Sequence, residues 1–303
     1  MKYQSFSIKY QVSGIKFLFL LLATCYLFLF VSCHKEVPIP AYIHIDNINL
    51  TVNPNGTQGS NTQKIVDSWI DLDGTSIGAF EMPFTIPALY SGQHTITIFP
   101  GIKDNGMNET RVEYPFYSTY TQTVILTQGS ILKINPTVTY AASTNFSFIQ
   151  DFESGSGKYW LNDTSKSTSD TFMRVINLPD PIVQYGNGCG GVIMKKSNAI
   201  YSGSTYGKYK LPATPPIYLE MDYNCNTPLT VGVNAYDGTS ATSNYLGQLS
   251  VMTLRPTTGW NKIYINLSLS VITLNAAGYS IYFYMTCVNP PSYFYLDNVK
   301  LIY

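Results

Sequence analysis

Hydrophobic positions along this chain follow two patterns. Residues 17–31 form one apolar run without a charge, whereas after residue 40 apolar and polar positions alternate over short stretches. Alternation with a period of two is typical of strands that bury one face, as at Ile43 and Ile45 in AYIHI. Only VITLNAAG, residues 271–278, could support one or two helical turns. The sequence therefore predicts an all-β protein behind an N-terminal apolar helix.

Turn residues and small polar residues divide the alternating part into two blocks. The first, residues 41–140, contains about seven predicted strands, which is typical of an antiparallel β-sandwich. Residues 141–145, AASTN, are small and polar and are predicted to be a linker. Residues 146–303 form a second all-β block. Because few contacts normally cross such a linker, we expect two β-sandwich domains that fold separately.

The apolar run predicts export. Lys2, Lys9 and Lys16 precede it, and a basic segment followed by an apolar core is the pattern of a secretory signal. The core is shorter than the ~20 apolar residues that usually span a membrane. Because the lysines stay inside, everything beyond residue 33 is expected outside the cytoplasm.

The end of the run, Phe30-Val31-Ser32-Cys33, resembles a bacterial lipobox, with Phe30 where leucine is usual. The resemblance implies a lipoprotein signal peptide over residues 1–32, cleavage after Ser32, and acylation of Cys33 with palmitate-type chains. Residues 33–40 would then be a tether to the outer membrane, on its periplasmic or cell-surface face. The alternative is an uncleaved signal anchor in which Cys33 is an unmodified thiol.

Composition narrows the classes of partner. Charged residues make up 12% of the chain, against about 25% in typical soluble domains, and the net charge is zero. No electrostatic footprint for nucleic acid is present, so nucleic acid is excluded as a partner. Among Cys189, Cys225 and Cys287 at most one disulfide can form, and we favour burial of all three as small hydrophobic side chains.

One stretch of the first block is rich in turn residues. Asp73-Gly74 predicts a hairpin, because a tight turn needs positive φ, which glycine adopts readily. The surrounding stretch, Ile70–Ile98, also carries Gly78, Pro83 and Gly92, with alternating Thr-Ile-Thr-Ile at its end. It resembles a PEGA-type domain, a small Ig-like β-sandwich found on bacterial surface proteins. The resemblance implies a spacer or an interaction platform.

Three stretches of the second block are informative together: Asp151-Phe152-Glu153, Trp260–Ile265 and Leu296–Leu301. With these stretches, the block resembles the galactose-binding-like jelly rolls of surface lipoproteins and carbohydrate-active proteins. The resemblance implies that the first and last strands of the block lie side by side and that a structural calcium ion is held there. Glu153 and Asp297 would be its ligands, with Asp151 the lesser candidate. The alternative is that Asp297 caps or turns its strand and Glu153 is solvated.

Catalytic patterns are absent from the second block. It has no histidine and no G-x-S-x-G nucleophile motif. Glu220 and Asp222 alternate with Leu219 and Met221, so they are expected on a solvated strand face rather than as a catalytic pair. We therefore predict that the protein is not an enzyme.

The binding prediction concerns YSGSTYGKYK, residues 201–210. Its glycines predict an exposed loop in which Tyr201, Tyr206 and Tyr209 could stack on a sugar ring, with Trp160 contributing. A plain surface hairpin is the alternative. The predicted function is thus an exported, non-catalytic lipoprotein that binds glycans through its jelly roll. The alternative function is a structural or adhesive surface component.

Overall fold

A computed structural model describes residues 17–19, 37–153, 160–163, 165–169 and 172–303. Met1–Pro40 and Ala41–Tyr303 are separate units, and only residues 17–19 of the signal segment are described, as helix. The predicted cleavage after Ser32 and the acylation of Cys33 lie outside the described residues and stay predictions. In the described part of the chain, no helix combines the length and the apolar character that crossing a membrane requires.

Residues 41–140 form the first β-sandwich. Its strands are β1 Ala41–Ile45, β2 Asn49–Leu50, β3 Asp67–Leu72, β4 Thr75–Glu81, β5 Phe84–Ala88, β6 Gly92–Lys103, β7 Arg111–Glu113, β8 Tyr120–Leu126, β9 Ile131–Ile134 and β10 Thr137–Val138. A 3₁₀ turn, Asp104–Gly106, follows β6. The buried faces of these strands supply an isoleucine-rich core, which includes Ile43, Ile70 and Ile98.

The predicted hairpin at Asp73-Gly74 is confirmed, and the antiparallel expectation is corrected. Asp73 and Gly74 both have positive φ, 50° and 76°, and they join β3 to β4 in an antiparallel pair. However, β1 pairs in parallel with β9, and β2 in parallel with β10. Parallel pairing needs partners that are distant in sequence, which local alternation does not reveal. The PEGA-type resemblance stays a prediction.

The second sandwich fills the rest of the chain. Its described elements are β11 Phe146–Gln150, β12 Trp160–Asn162, β13 Arg174–Asn177, β14 Gly188–Met194, β15 Ile200–Thr205, β16 Tyr218–Cys225, β17 Leu229–Tyr236, β18 Tyr245–Leu254, β19 Asn261–Asn266, helix α1 Ser268–Leu274, β20 Gly278–Thr286 and β21 Ser292–Ile302. The predicted all-β class is confirmed.

Two sheets pack face to face in this second sandwich. One has the order β13-β14-β21-β16-β19, with β11 on β21, and the other has the order β12-β15-β20-β17-β18. The first and last strands, β11 and β21, lie side by side, as the jelly-roll resemblance implies. Between the sheets lies an apolar core that includes Leu219, Val231 and Phe283. The cysteines that the structure describes, Cys189, Cys225 and Cys287, are free and buried, so the favoured prediction for them is confirmed.

The expectation of few contacts between the two blocks is wrong. Ala41–Tyr303 is one compact unit, although strand pairing stays within each sandwich. Tyr218, Tyr264 and Ile302 of the second sandwich belong to the buried core of the first. The predicted boundary at 141–145 stays a prediction, but the two sandwiches share one interface.

A buried carboxylate lies at this interface. Glu220 accepts hydrogen bonds of 2.8 Å from the Tyr114 and Tyr140 hydroxyls of the first sandwich, and Lys262 Nζ lies 3.5 Å from its Oε2 atom. The expectation of a solvated face for Glu220 and Asp222 is therefore wrong, since both are fully buried. The first sandwich covers Glu220, and the Asn298 amide donates to Asp222 at 2.9 Å.

Candidate functional site

A cleft of about 750 Å³ opens on the outer face of the sheet β12-β15-β20-β17-β18. Hydroxyl, amide and aromatic groups share its lining with two charged side chains. The lining residues are Leu161, Asp163, Ser165, Lys166, Ser202, Gly203, Ser204, Thr230, Asn234, Tyr236, Tyr245, Gln248, Ser250, Tyr282 and Tyr284.

Strand alternation puts these groups on one face. In β17, Leu229, Val231 and Val233 point into the core, so the alternating residues Thr230 and Asn234 face the cleft. In the neighbouring β20, Ile281 and Phe283 are core residues, and Tyr282 and Tyr284 line the cleft. One face of each strand therefore builds the core, and the other builds the cleft.

Hydrogen bonds hold the cleft floor in place. The Tyr282 and Ser250 hydroxyls are 2.7 Å apart, and the Asn234 amide donates to Ser280 Oγ at 3.1 Å. A Cβ atom on Gly232 would lie 2.3 Å from the Tyr282 ring, so only glycine fits beneath that ring. Since the floor groups are bonded to one another, their orientations are set before any ligand arrives.

A polar cluster occupies one end of the cleft. Gln248 Oε1 accepts from Lys166 Nζ at 3.2 Å and from the Tyr245 hydroxyl at 3.0 Å. Lys166 Nζ also lies 3.5 Å from Asp163 Oδ2 and 5.4 Å from the Tyr245 ring centroid. Burial opposes ionisation of Asp163, but hydrogen bonds from Ser165 and the charge of Lys166 leave its pKa below the usual value. The cluster thus offers an ionised acceptor beside a cationic donor.

Two of the four tyrosines that line the cleft are exposed. Tyr245 is 50% exposed and Tyr284 is 36% exposed, whereas Tyr282 is buried in the floor. Tyr245 and Tyr236 meet edge to face, with ring centroids 6.0 Å apart and an interplanar angle of 71°. Because these two rings are not coplanar, they present separate faces rather than one flat platform.

The predicted loop at residues 201–210 is corrected by the structure. Residues 200–205 form β15, in which Tyr201 points into the core and is fully buried. A Cβ atom on Gly203 would lie 2.3 Å from the Tyr201 hydroxyl, so this glycine makes room for the ring within a strand. Gly203 thus belongs to a closely packed strand, whereas Gly207 lies in the bend that follows β15.

The other residues predicted to bind a ligand do not share an exposed face. Tyr206 is 52% exposed, just beyond β15, and does not line the cleft. Tyr209 is half-buried, exchanges backbone hydrogen bonds with Tyr279, and has its pKa raised to about 12 by burial. Trp160 is buried, 5.1 Å from the Phe283 ring. Its predicted role in stacking is therefore wrong.

The predicted calcium ligands lie in the same region without forming a complete site. Asp297 is buried, and its Oδ2 atom lacks a hydrogen-bond partner in the described structure. Burial is the main reason that its pKa is raised to about 8, and the nearby charges of Asp222, Glu153 and Asp151 act in the same direction. Glu153, however, accepts from the Asn187 side-chain amide at 2.9 Å. Among the described residues, no group of three or more acidic, histidine or cysteine side chains could hold a metal ion. Structural calcium stays a prediction.

The cleft residues were missed at the sequence level, although the signal was present. Apolar alternation in β17 and β20 predicts only the core face of each strand. The intervening positions carry Thr230, Asn234 and Tyr236 on β17, and Ser280, Tyr282 and Tyr284 on β20. A strand whose polar face is rich in tyrosine and hydroxyl groups is a signal for a binding face, once the sheet order makes the two strands neighbours.

Comparisons with known proteins return structural similarity only. No family model matches the chain, and no curated protein matches it. Solved structures that match include a β-sandwich carbohydrate-binding module, at 12% identity and a TM-score of 0.36, over 78% of this chain and 85% of that one.

Two further matches each cover about half of the chain. The family 11 carbohydrate-binding module of a Clostridium thermocellum cellulosomal cellulase is 14% identical, with a TM-score of 0.37, over 53% of this chain and 95% of that one. A xylan-binding domain from Paenibacillus barcinonensis is 12% identical, with a TM-score of 0.31, over 53% of this chain and 96% of that one. At these scores the likeness carries no functional argument.

Proposed function

We propose that this protein is an exported, non-catalytic lipoprotein that binds a glycan in the cleft on the β12-β15-β20-β17-β18 sheet. The observation that carries the proposal is the pairing of exposed tyrosine rings with a floor of fixed hydroxyl and amide groups. The predicted signal segment and Cys33 support export and anchoring at the outer membrane.

The cleft has the chemistry that a sugar requires. A pyranose ring has an apolar face, which the exposed rings of Tyr245 and Tyr284 can cover, and hydroxyl groups around its edge. Asp163, Lys166 and Gln248 provide acceptors and a donor for those hydroxyls. A volume of about 750 Å³ lies within the ~300–1,000 Å³ typical of ligand sites, so a short oligosaccharide segment fits.

Glycan binding by the full-length chain, purified in a non-ionic detergent, tests the proposal. We expect binding to at least one neutral oligosaccharide on a glycan array, followed by titration calorimetry with that oligosaccharide. Tyr245→Ala should weaken binding roughly tenfold or more, since burying an aromatic side chain contributes about 1.5–3 kcal/mol. Tyr284→Ala should act in the same direction.

Tyr206→Ala is the matched control, because Tyr206 is equally exposed but lies outside the cleft. It should bind like the natural chain. A chain that binds no glycan would favour the structural or adhesive function. Binding that is lost in Tyr206→Ala but retained in Tyr245→Ala would place the site beyond β15 instead.

A further inference from the structure

A second crevice, of about 540 Å³, lies between the two sandwiches and shares no lining residue with the cleft. Its walls come from the end of β6 and the turn after it on one side, and from β16, β18 and β19 on the other. It exists only because the two sandwiches pack together.

Positive charge is concentrated in this crevice. Lys64, Lys103, Arg255 and Lys262 line it, and Glu109 is the single carboxylate among its described lining residues. The whole chain has equal numbers of acidic and basic residues, 18 of each, so this local excess is not a property of the overall composition. Uncompensated charge in a partly enclosed space attracts counter-ions of the opposite sign.

Two of the four cations have carboxylate partners, and two do not. Lys262 Nζ lies 3.5 Å from Glu220, and Lys103 Nζ lies 3.4 Å from Glu81. Lys64 Nζ instead donates to the Asn261 side-chain oxygen at 2.5 Å. No ion pair is found for Lys64 or for Arg255 among the described residues.

Lys64 is one of the two crevice cations without a carboxylate partner among the described residues. Its side chain stays accessible at the crevice, while partial burial and then the charge of Lys103 lower its pKa. Although Glu81 pairs with Lys103, the charge of Lys103 still acts on the Lys64 ammonium group, and an oxyanion bound beside Lys64 would offset that charge. The backbone N–H of Lys64 is held by the Tyr264 hydroxyl at 2.9 Å, so its position is fixed by the interface.

We propose that this crevice is a binding site for an oxyanion, the carboxylate or sulfate group of an acidic saccharide. Lys64 and Arg255 contact the anionic group, and the apolar surfaces of Met252 and Ile263 contact the body of the ligand. The volume suits a small organic molecule rather than a bare ion. This site is independent of the proposed glycan cleft, because the two share no residue.

Thermal unfolding of the full-length chain in non-ionic detergent, at constant ionic strength, tests the proposal. Sodium glucuronate should raise Tm above the value in glucose plus sodium chloride, because a ligand that binds only the folded state stabilises it. Sodium sulfate is the second arm, and it distinguishes a free inorganic anion from one carried on a sugar. Lys64→Met and Arg255→Gln should each weaken the apparent affinity about tenfold or more, as expected for loss of a charge-assisted hydrogen bond.

Lys133→Met is the matched control, since Lys133 is an exposed lysine on β9 outside the crevice. It should keep the full response. Sulfate stabilises most folded proteins by exclusion from their surface. The informative quantity is therefore the difference between the Tm shift that the anion causes in Lys64→Met and the shift that it causes in Lys133→Met. No response to either anion in the natural chain, or equal responses in all variants, would overturn the proposal.

Discussion

Tyrosine side chains in this protein have opposite roles according to which face of a strand they occupy. Tyr201 lies on the inner face of β15 and is fully buried, whereas Tyr284 lies on the outer face of β20 and lines the cleft. The same residue type therefore supplies core volume in one position and an accessible ring in another. The number of tyrosines does not by itself locate a binding site, because the alternation of side chains along a strand decides which rings face solvent and which face the core.

At the residue scale, the pair Asp73–His94 predicts a measurable dependence on pH. Asp73 Oδ2 lies 2.7 Å from His94 Nδ1, and Asp73 Oδ1 accepts from the Thr95 N–H at 2.8 Å. The hydrogen bond to Asp73 raises the pKa of His94, and that same bond lowers the pKa of Asp73. The pair therefore clamps the β3–β4 turn to β6 while both groups are charged.

The direction of the pH effect follows from these shifts. The stabilisation that protonated His94 contributes to the folded state is complete below the ordinary imidazole pKa of about 6.5. It is lost as pH rises through the higher folded-state pKa of His94. The Asp73 contribution is complete above about 3.9 and is lost as pH falls through its lowered folded-state pKa. The Tm difference between the natural chain and His94→Gln should thus be largest near pH 5 and shrink towards pH 8. In an Asp73→Asn background, His94→Gln should lose this pH dependence, and an unchanged profile there would contradict the pairing.

At the element scale, β17 and β20 connect the core of the second sandwich to the cleft. Each strand buries one face between the sheets and presents the other to the cleft, so packing and binding share the same backbone. Gly232 on β17 lies opposite Tyr282 on β20 in the antiparallel register. The Tyr282 ring occupies the space that a Cβ atom at Gly232 would need.

Gly232→Ala is expected to destabilise the protein. The new Cβ would lie 2.3 Å from the Tyr282 ring and 2.5 Å from the Leu249 carbonyl oxygen, so the β18 backbone would have to move. Overpacking of this kind typically reduces the free energy of unfolding by about 1–3 kcal/mol. Chemical denaturation measures the loss. Gly259→Ala is the control, because a Cβ there meets nothing within 4 Å, and an equal loss in both variants would refute the steric explanation.

At the scale of the whole molecule, a buried polar network joins the two sandwiches. Lys300 Nζ donates to the Ser60 carbonyl oxygen at 2.6 Å and lies 3.0 Å from the Tyr140 hydroxyl, which itself donates to Glu220. Desolvation lowers the pKa of Lys300 to about 7, against the opposing pull of the Glu220 charge. Separating the sandwiches would expose apolar surface and break these hydrogen bonds together, so we expect the two to unfold as one unit.

Tyr140→Phe tests how much this network contributes. The variant keeps the ring but removes the hydroxyl between Glu220 and Lys300, and hydrogen bonds to charged groups contribute about 1.5–3 kcal/mol each. The free energy of unfolding of the full-length chain should fall by at least the contribution of one such hydrogen bond, about 1.5–3 kcal/mol. Tyr120→Phe is the control, since the Tyr120 hydroxyl bonds Gln122 at the exposed surface and its loss should be nearly neutral. Equal effects would mean that the interface network does not stabilise the protein.

Local patterns in the sequence determined the elements of this fold. Period-two alternation identified most strands, Asp73-Gly74 located a hairpin, and the near absence of helical periodicity is matched by a single described α-helix in Ala41–Tyr303. These features depend on residues close together in the chain, because side-chain parity and turn conformation are local properties. The adjacency of β11 and β21 followed only from the resemblance to jelly rolls.

Tertiary structure alone decided where the candidate sites lie. Glu220 looked like a residue on a solvated strand face, but tyrosines 80 and 106 residues away in the chain cover it. The cleft depends on β17, β18 and β20 being neighbours in one sheet, and the basic crevice depends on packing between two sandwiches. An alternating strand has two faces, and its sequence does not state what each face meets. Only the partners brought by the fold turn one face into core, another into a cleft and a third into an interface.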